Sequence, residues 1–355
     1  MDDLFERYSR IEKSYYRIPV SANTLFVGCD ANYNCRSFIS EHFEKGNKKG
    51  VFHIFREFTH DYETKGKHLH TVSLYLLGLS LEDTFSRPLK RKLSELIENM
   101  AWYDFKYSWY LTCLYHDVTS CIETNSEYSV LCDAVEGSSL FTHTPIKKDA
   151  QLLRFPKRVI TDYLEYRKND GKNDHGIIAG AQLFDRLSQS FKEKTAGHDW
   201  AKSPEYNLHH LHWRREHLDH FAYIADAVCC HNIWLATPET EEEYHNANLD
   251  ELIVHNDCDK LCIDTYPLQF MLCLLDTIEP VKRFHRLSAE AVLKNICIEA
   301  ATGAIKITWN QIIKTQPEFY VWLSGIRTLC DWMNVRISPC QCNGDLCSIT
   351  ITIRP

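Results

Sequence analysis

A histidine and an aspartate stand side by side, His116-Asp117, at the end of the apolar and aromatic stretch Trp109-Tyr110-Leu111-Thr112-Cys113-Leu114-Tyr115. At the end of a buried helix, the two bring an imidazole nitrogen and two carboxylate oxygens within reach of one cation. Burying both without a metal, or without full hydrogen bonding, is costly. His70 opens a second helix-like run that ends at Leu77-Gly78, and Asp276 interrupts the apolar run Phe270-Met271-Leu272-Cys273-Leu274-Leu275-Asp276-Thr277-Ile278-Glu279-Pro280. Together these residues supply ring nitrogens and carboxylates, a donor set suited to divalent first-row ions better than to Ca or Mg alone. A metal held there can polarise a phosphoryl oxygen and lower the pKa of bound water from about 16 to about 7.

The order His, His-Asp, distant Asp in helical contexts resembles the metal-dependent phosphohydrolases of the HD superfamily. Asp174-His175-Gly176, opening a helix, and Cys230-His231-Asn232, closing another, resemble the extra histidines of its phosphodiesterase-like branches. The resemblance spans roughly Lys65 to Arg283. It implies a metal set of His70, His116, Asp117, His175, His231 and Asp276. Asp117 would bridge to a second ion, with His175 and His231 as ligands of that ion, and these three residues would carry the catalysis. The implied cofactors are two divalent ions from among Mn, Fe, Co, Ni and Zn, with Mg admissible. Ions roughly 3.5–4 Å apart would clamp the attacking and leaving oxygens of an in-line displacement. The implied substrate is phosphorylated, most often a nucleotide.

With 18 histidines in the chain, the choice among them needs argument. His68 lies two residues before His70 and would face another side of a helix; the match to Leu77-Gly78 selects His70. His220 and His231 share one helix face but lie about 16 Å apart along it. One straight helix cannot bring both to the same ion, so His231 is the ligand and His220 the reserve. Arg214 and Arg215, in a segment dense in imidazole and guanidinium, could hold the substrate's phosphate through bidentate contacts. A solvated interhelical segment explains them equally well. Lys65, Lys67, Lys282 and Arg283 flank the ligands and could neutralise phosphate charge; a solvated face is the commoner fate of such residues.

A chain of 355 residues, 44% hydrophobic, can bury a large core. Its formal charge of −8 advertises no general nucleic-acid or membrane surface. The 15 cysteines are scattered through helix-like stretches, and the first residues lack a signal-peptide pattern. Reduced thiols and a cytoplasmic protein are expected. No apolar run reaches the length of a membrane span. Cys340, Cys342 and Cys347, with Cys258 or Cys262 as a fourth thiolate, do not match a common zinc ribbon. Phosphate-binding glycine patterns and a G-x-S-x-G elbow are absent.

The expected fold is mainly α: an N-terminal elaboration over 1–60, an HD-type helical bundle that binds metal over 61–295, and a small C-terminal α+β unit over 296–355. A β-like run, Thr24 to Cys29, and a loop from Glu44 to Gly50 mark the first part. Helices are expected from His70, from Pro88 as a first-turn residue, over Asp149 to Arg167, after the N-cap Asp174, over His217 to His231 and over Pro267 to Arg286. Alternating residues predict strands at Ala304 to Trp309 and Ser348 to Ile353 around a helix from Pro317 to Trp332. The expected activity is hydrolysis of a small phosphorylated substrate by metal-activated water, with no membrane partner; the oligomeric state is open. Two rivals stand beside it: a nuclease of the same fold acting on a single-stranded oligonucleotide, and a metal-stabilised binding or signalling protein without turnover.

Overall fold

The computed structural model describes residues 67–98, 103, 105–120, 135–169, 171–172, 174–208, 211–301 and 303–354. The expected elaboration over 1–60, including Thr24 to Cys29 and Glu44 to Gly50, lies outside them. In chain order the elements are α1 (Lys67–Ser80), α2 (Glu82–Leu96), α3 (Phe105–His116), α4 (Lys157–Asn169), α5 (His175–Lys194), β1 (Tyr206–Leu208), β2 (Leu211–Trp213), α6 (Glu216–Cys230), α7 (Glu241–Asn246) and α8 (Pro267–Ile278). After them come α9 (Ala289–Asn295), β3 (Ile296–Ala301), β4 (Ala304–Asn310), α10 (Gln311–Lys314), α11 (Phe319–Arg327), α12 (Leu329–Trp332), β5 (Val335–Ile337), β6 (Gln341–Asn343) and β7 (Leu346–Ile353). The protein is mainly α with a small antiparallel sheet near its C-terminus. Among the described residues, no helix is long and apolar enough to cross a membrane.

Two compact units divide the chain, and each takes separated stretches of it. The first unit holds residues up to Arg87, Asp104–Leu114 and His255–Pro355; the second holds Pro88–Tyr103 and Tyr115–Val254. The division passes through two continuous helices, α2 and α3.

In the first unit, α1 and α3 are tied where the Trp109 indole N–H donates to the Tyr75 carbonyl at 3.1 Å. Its sheet runs β3-β4-β7-β5, antiparallel throughout, with β6 paired to β7. The register sets Ile305 opposite Ile351 and Ile307 opposite Ile349. All four are buried, as period-two alternation with one covered face requires. Trp309, Phe319 and Trp322 make ring contacts on that covered side, and the Trp322 indole donates to the Ile278 carbonyl at the end of α8.

The second unit is built around the antiparallel neighbours α5 and α6. Gly176 and Gly180 sit one turn apart on the α5 face turned to α6. A Cβ on Gly180 would lie 2.5 Å from the Ala225 carbonyl oxygen, and one on Gly176 would lie 2.9 Å from the His231 ring. The missing side chains therefore permit the close approach. Just past the end of α6, Tyr163 of α4 donates to the Asn232 carbonyl and accepts from Trp234 N.

Four local expectations need correction. Pro88 lies inside α2 rather than in its first turn; the helix starts at Glu82, where Glu82 and Asp83 favour a helix N-terminus. The helix expected from Asp149 starts at Lys157, just after Pro156. The helix expected to run from Pro267 to Arg286 stops at Ile278, because Pro280 disfavours helical geometry at Glu279 before it. The thiols are not all reduced: Cys342 and Cys347 face each other across the β6–β7 hairpin and form a disulfide.

Candidate metal centre

In the first unit, the broken end of α8 organises the surroundings of His70. With Glu279 as its C-cap, the chain turns back through Pro280, and the Glu279 carboxylate accepts the backbone N–H groups of Val281 at 2.8 Å and Lys282 at 3.1 Å. The same carboxylate accepts from the Ser73 hydroxyl at 2.5 Å and lies 3.0 Å from His70 Nδ1. Burial pushes the Glu279 carboxyl up. The hydrogen bond and charge of His70, with the Ser73 hydroxyl and the Lys282 N–H, outweigh this and hold it below the ordinary glutamate value.

The turn also returns Lys282 towards α8, where its ammonium contacts Asp276 Oδ1 and lies 3.2 Å from His70 Nε2. An ammonium has no lone pair, so a neutral His70 ring accepts there through Nε2 and carries its proton on Nδ1, facing Glu279, whereas a protonated ring donates Nε2–H to Asp276. His70 Nε2 and Asp276 Oδ1 are 2.9 Å apart and both converge on one positive charge. Two ligand atoms about 2.1 Å from a metal and at right angles to each other would be roughly 3 Å apart. The pair thus fits a divalent ion as well as the ammonium it now faces.

In the second unit, His116 ends α3 and Asp117 occupies the turn that follows, both buried. Asp117 lies between two histidines: Oδ2 is 3.8 Å from His116 Nε2, and Oδ1 is 3.3 Å from His175 Nε2. The Thr119 hydroxyl donates to the His175 carbonyl at 2.7 Å, fastening the turn to the start of α5. His175 is the first residue of that helix because Asp174 caps it, Oδ1 accepting from Ile177 N at 2.9 Å.

The triplets Asp174-His175-Gly176 and Cys230-His231-Asn232 interlock residue by residue. Asn232 Nδ2 donates to Asp174 Oδ2 at 3.1 Å, the His175 and His231 rings meet edge to face at 5.1 Å, and His231 fills the space over Gly176. His231 Nδ1 lies 2.6 Å from the Val228 carbonyl. A carbonyl only accepts, so Nδ1 carries a proton, and in the neutral ring Nε2 then keeps its lone pair, the orientation of a ligating histidine. The His231 ring is 5.7 Å from that of His116.

His70 is buried in the first unit, and His116, Asp117 and His175 are buried in the second, where two imidazoles and a carboxylate are donors that could hold a metal ion. His220, the reserve, is buried on α6 with its ring against Tyr103. Burial lowers its pKa to about 3.

Arg214 and Arg215 are not brought to this cluster. They precede α6, whereas His231 follows it, about 24 Å away along the helix axis. Arg214 pairs with Glu205 across the β1–β2 hairpin, and Arg215 is exposed. Sequence reasoning gave no role to Glu279; the acid before a proline at the end of an apolar run was its one local signal. It treated Lys282 only as a flanking cation.

Comparison of the chain with family models, curated proteins and solved structures returns no match.

Proposed function

We propose that the protein is a metal-dependent phosphohydrolase with an HD-type helical core, acting on a small phosphorylated substrate of the nucleotide class. The observation that carries this reading is the buried group of His116, Asp117 and His175 in the second unit, with Asp117 Oδ2 3.8 Å from His116 Nε2 and Oδ1 3.3 Å from His175 Nε2. Two imidazoles and a carboxylate removed from water at such distances are costly unless a cation satisfies them. A bound divalent ion would withdraw charge from a phosphoryl group and acidify water.

In this reading Asp276 completes the set around His70, and Glu279 fixes the His70 tautomer. Asp117 serves His116 on one side and His175 on the other. His231, its Nδ1 proton held by the Val228 carbonyl, offers Nε2 to a second ion beside His175. His175 Nε2, hydrogen-bonding distance from Asp117, can hold a proton for the leaving oxygen.

A second reading rests on Lys282. Its ammonium already occupies the position between His70 and Asp276, so the buried charges could be satisfied within the chain, leaving a binding protein without turnover. Metal analysis of the purified protein, followed by a screen of nucleotides, cyclic dinucleotides and a single-stranded oligonucleotide with Mn, Co or Ni, tests both. Bound metal with hydrolysis of a phosphate ester supports the enzyme. A metal-free protein that stays inert after metal addition, and loses stability on Lys282→Ala, supports the second reading.

A further inference from the structure

Far from the histidines in sequence, β6 and β7 form a hairpin that gathers three sulfurs. The register opposes Cys342 and Cys347, so their side chains leave the same face of the ribbon. Cys340 precedes Cys342 by two residues, the strand period, and its Sγ lies 3.9 Å from Cys342 Sγ. The intervening turn holds Gly344 at φ 60°, as a two-residue hairpin with glycine in first place requires. Cys340 and Cys342 are exposed, and Cys347 is buried. Each of the three sulfurs can offer one ligand atom, all within 4.8 Å of one another.

We propose that this hairpin, when reduced, is a thiolate site for one thiophilic divalent ion such as zinc, held by Cys340, Cys342 and Cys347, and that the Cys342–Cys347 disulfide is its closed form. Zinc–sulfur bonds of about 2.3 Å around a tetrahedral ion place the sulfurs about 3.8 Å apart, the separation Cys340 and Cys342 already have. Cys347 needs only a side-chain rotation once its bond to Cys342 is cut. Cys258 and Cys262 do not join the group, so the fourth position falls to water or an external ligand. Opening the site takes two electrons and two protons from a dithiol: the Cys342–Cys347 bond breaks, both sulfurs become thiols, and the dithiol leaves as its own disulfide. Metal binding then releases thiol protons to solvent.

The test uses the full chain, reduced with dithiothreitol, desalted anaerobically and titrated with Co2+. Thiolate ligands give a near-ultraviolet sulfur-to-cobalt charge-transfer band. Nitrogen and oxygen ligands do not, so the His-Asp centre neither mimics nor masks the signal, and the two proposals fail separately. The expected result is a band saturating at about one equivalent per chain, bleached by Zn2+, with affinity falling at least about tenfold in reduced Cys340→Ser. Cys340 is exposed, so that variant keeps its fold, checked by circular dichroism. A reduced wild type without the band, or a band equally strong in reduced Cys340→Ser or in the unreduced protein, would overturn the proposal.

Discussion

Glu279 Oε2 and His70 Nδ1 lie 3.0 Å apart across 209 residues of chain, and neither side chain is exposed. One carboxylate thereby satisfies an imidazole N–H, the Ser73 hydroxyl and two backbone N–H groups. Glu279→Ala would remove this acceptor from all four donors, His70 and Ser73 being buried and the two N–H groups part-buried, and should cost about 3–5 kcal/mol in urea unfolding. Glu279→Gln keeps one acceptor oxygen and should cost distinctly less. If His70 is a ligand, Glu279→Gln should also weaken metal binding by about 10–100-fold, because the ring loses the partner that orients it. Equal stability of the Ala and wild-type proteins would contradict the packing described.

Gly176→Ala separates helix propensity from packing. Alanine would ordinarily add up to about 1 kcal/mol in a helix interior, but its Cβ would lie 2.9 Å from the His231 ring and 3.0 Å from the Val228 carbonyl. Overpacking of this kind costs about 1–3 kcal/mol, so the variant should be less stable. It should also shift the His231 ring resonances in NMR. Unchanged spectra would mean that α5 and α6 do not meet so closely.

Asp117→Ala should leave the fold standing, since α3 packs through the buried Trp109, Leu111 and Leu114. Under the proposed phosphohydrolase reading, hydrolysis of a phosphodiester or nucleotide should drop by orders of magnitude. His231→Ala should lower bound metal by one ion per chain where two are found in the parent. A folded Asp117→Ala protein with near-parental turnover would place the chemistry elsewhere.

Asp226 makes stability depend on pH. Burial on α6 raises its pKa from 3.8 to about 7, partly offset by the Arg154 N–H, the Arg154 charge and the Cys230 thiol. A carboxyl raised on folding contributes stability that is fully present below 3.8 and is lost as pH rises through about 7. Its share should decline across that window by a few kcal/mol. Asp226→Asn should flatten the fall in melting temperature between pH 4 and pH 8; an unchanged slope would assign it to other groups.

Much of the candidate site was legible locally. His116-Asp117 at the end of an apolar run, Asp174 as an N-cap, and His231 at the end of a helix depend on periodicity and capping, which act within a few residues. The strands around Ile305 and Ile351 were legible for the same reason: alternation reports a half-covered sheet wherever it occurs. The misjudged boundaries of α2 and α8 turned on single prolines, whose effect depends on the surrounding helix. Pro88 is carried inside one helix, whereas Pro280 ends another.

What only the tertiary structure decided is which distant groups meet. No local pattern links Glu279 to His70, turns Lys282 back onto Asp276, seats His231 over Gly176, or leaves Arg214 with Glu205 instead of the histidines. A residue's type and spacing set which contacts it can make. Which of them form is decided by packing between elements remote in sequence, where a missing Cβ or a proline-broken helix end moves a side chain by ångströms and changes its partner.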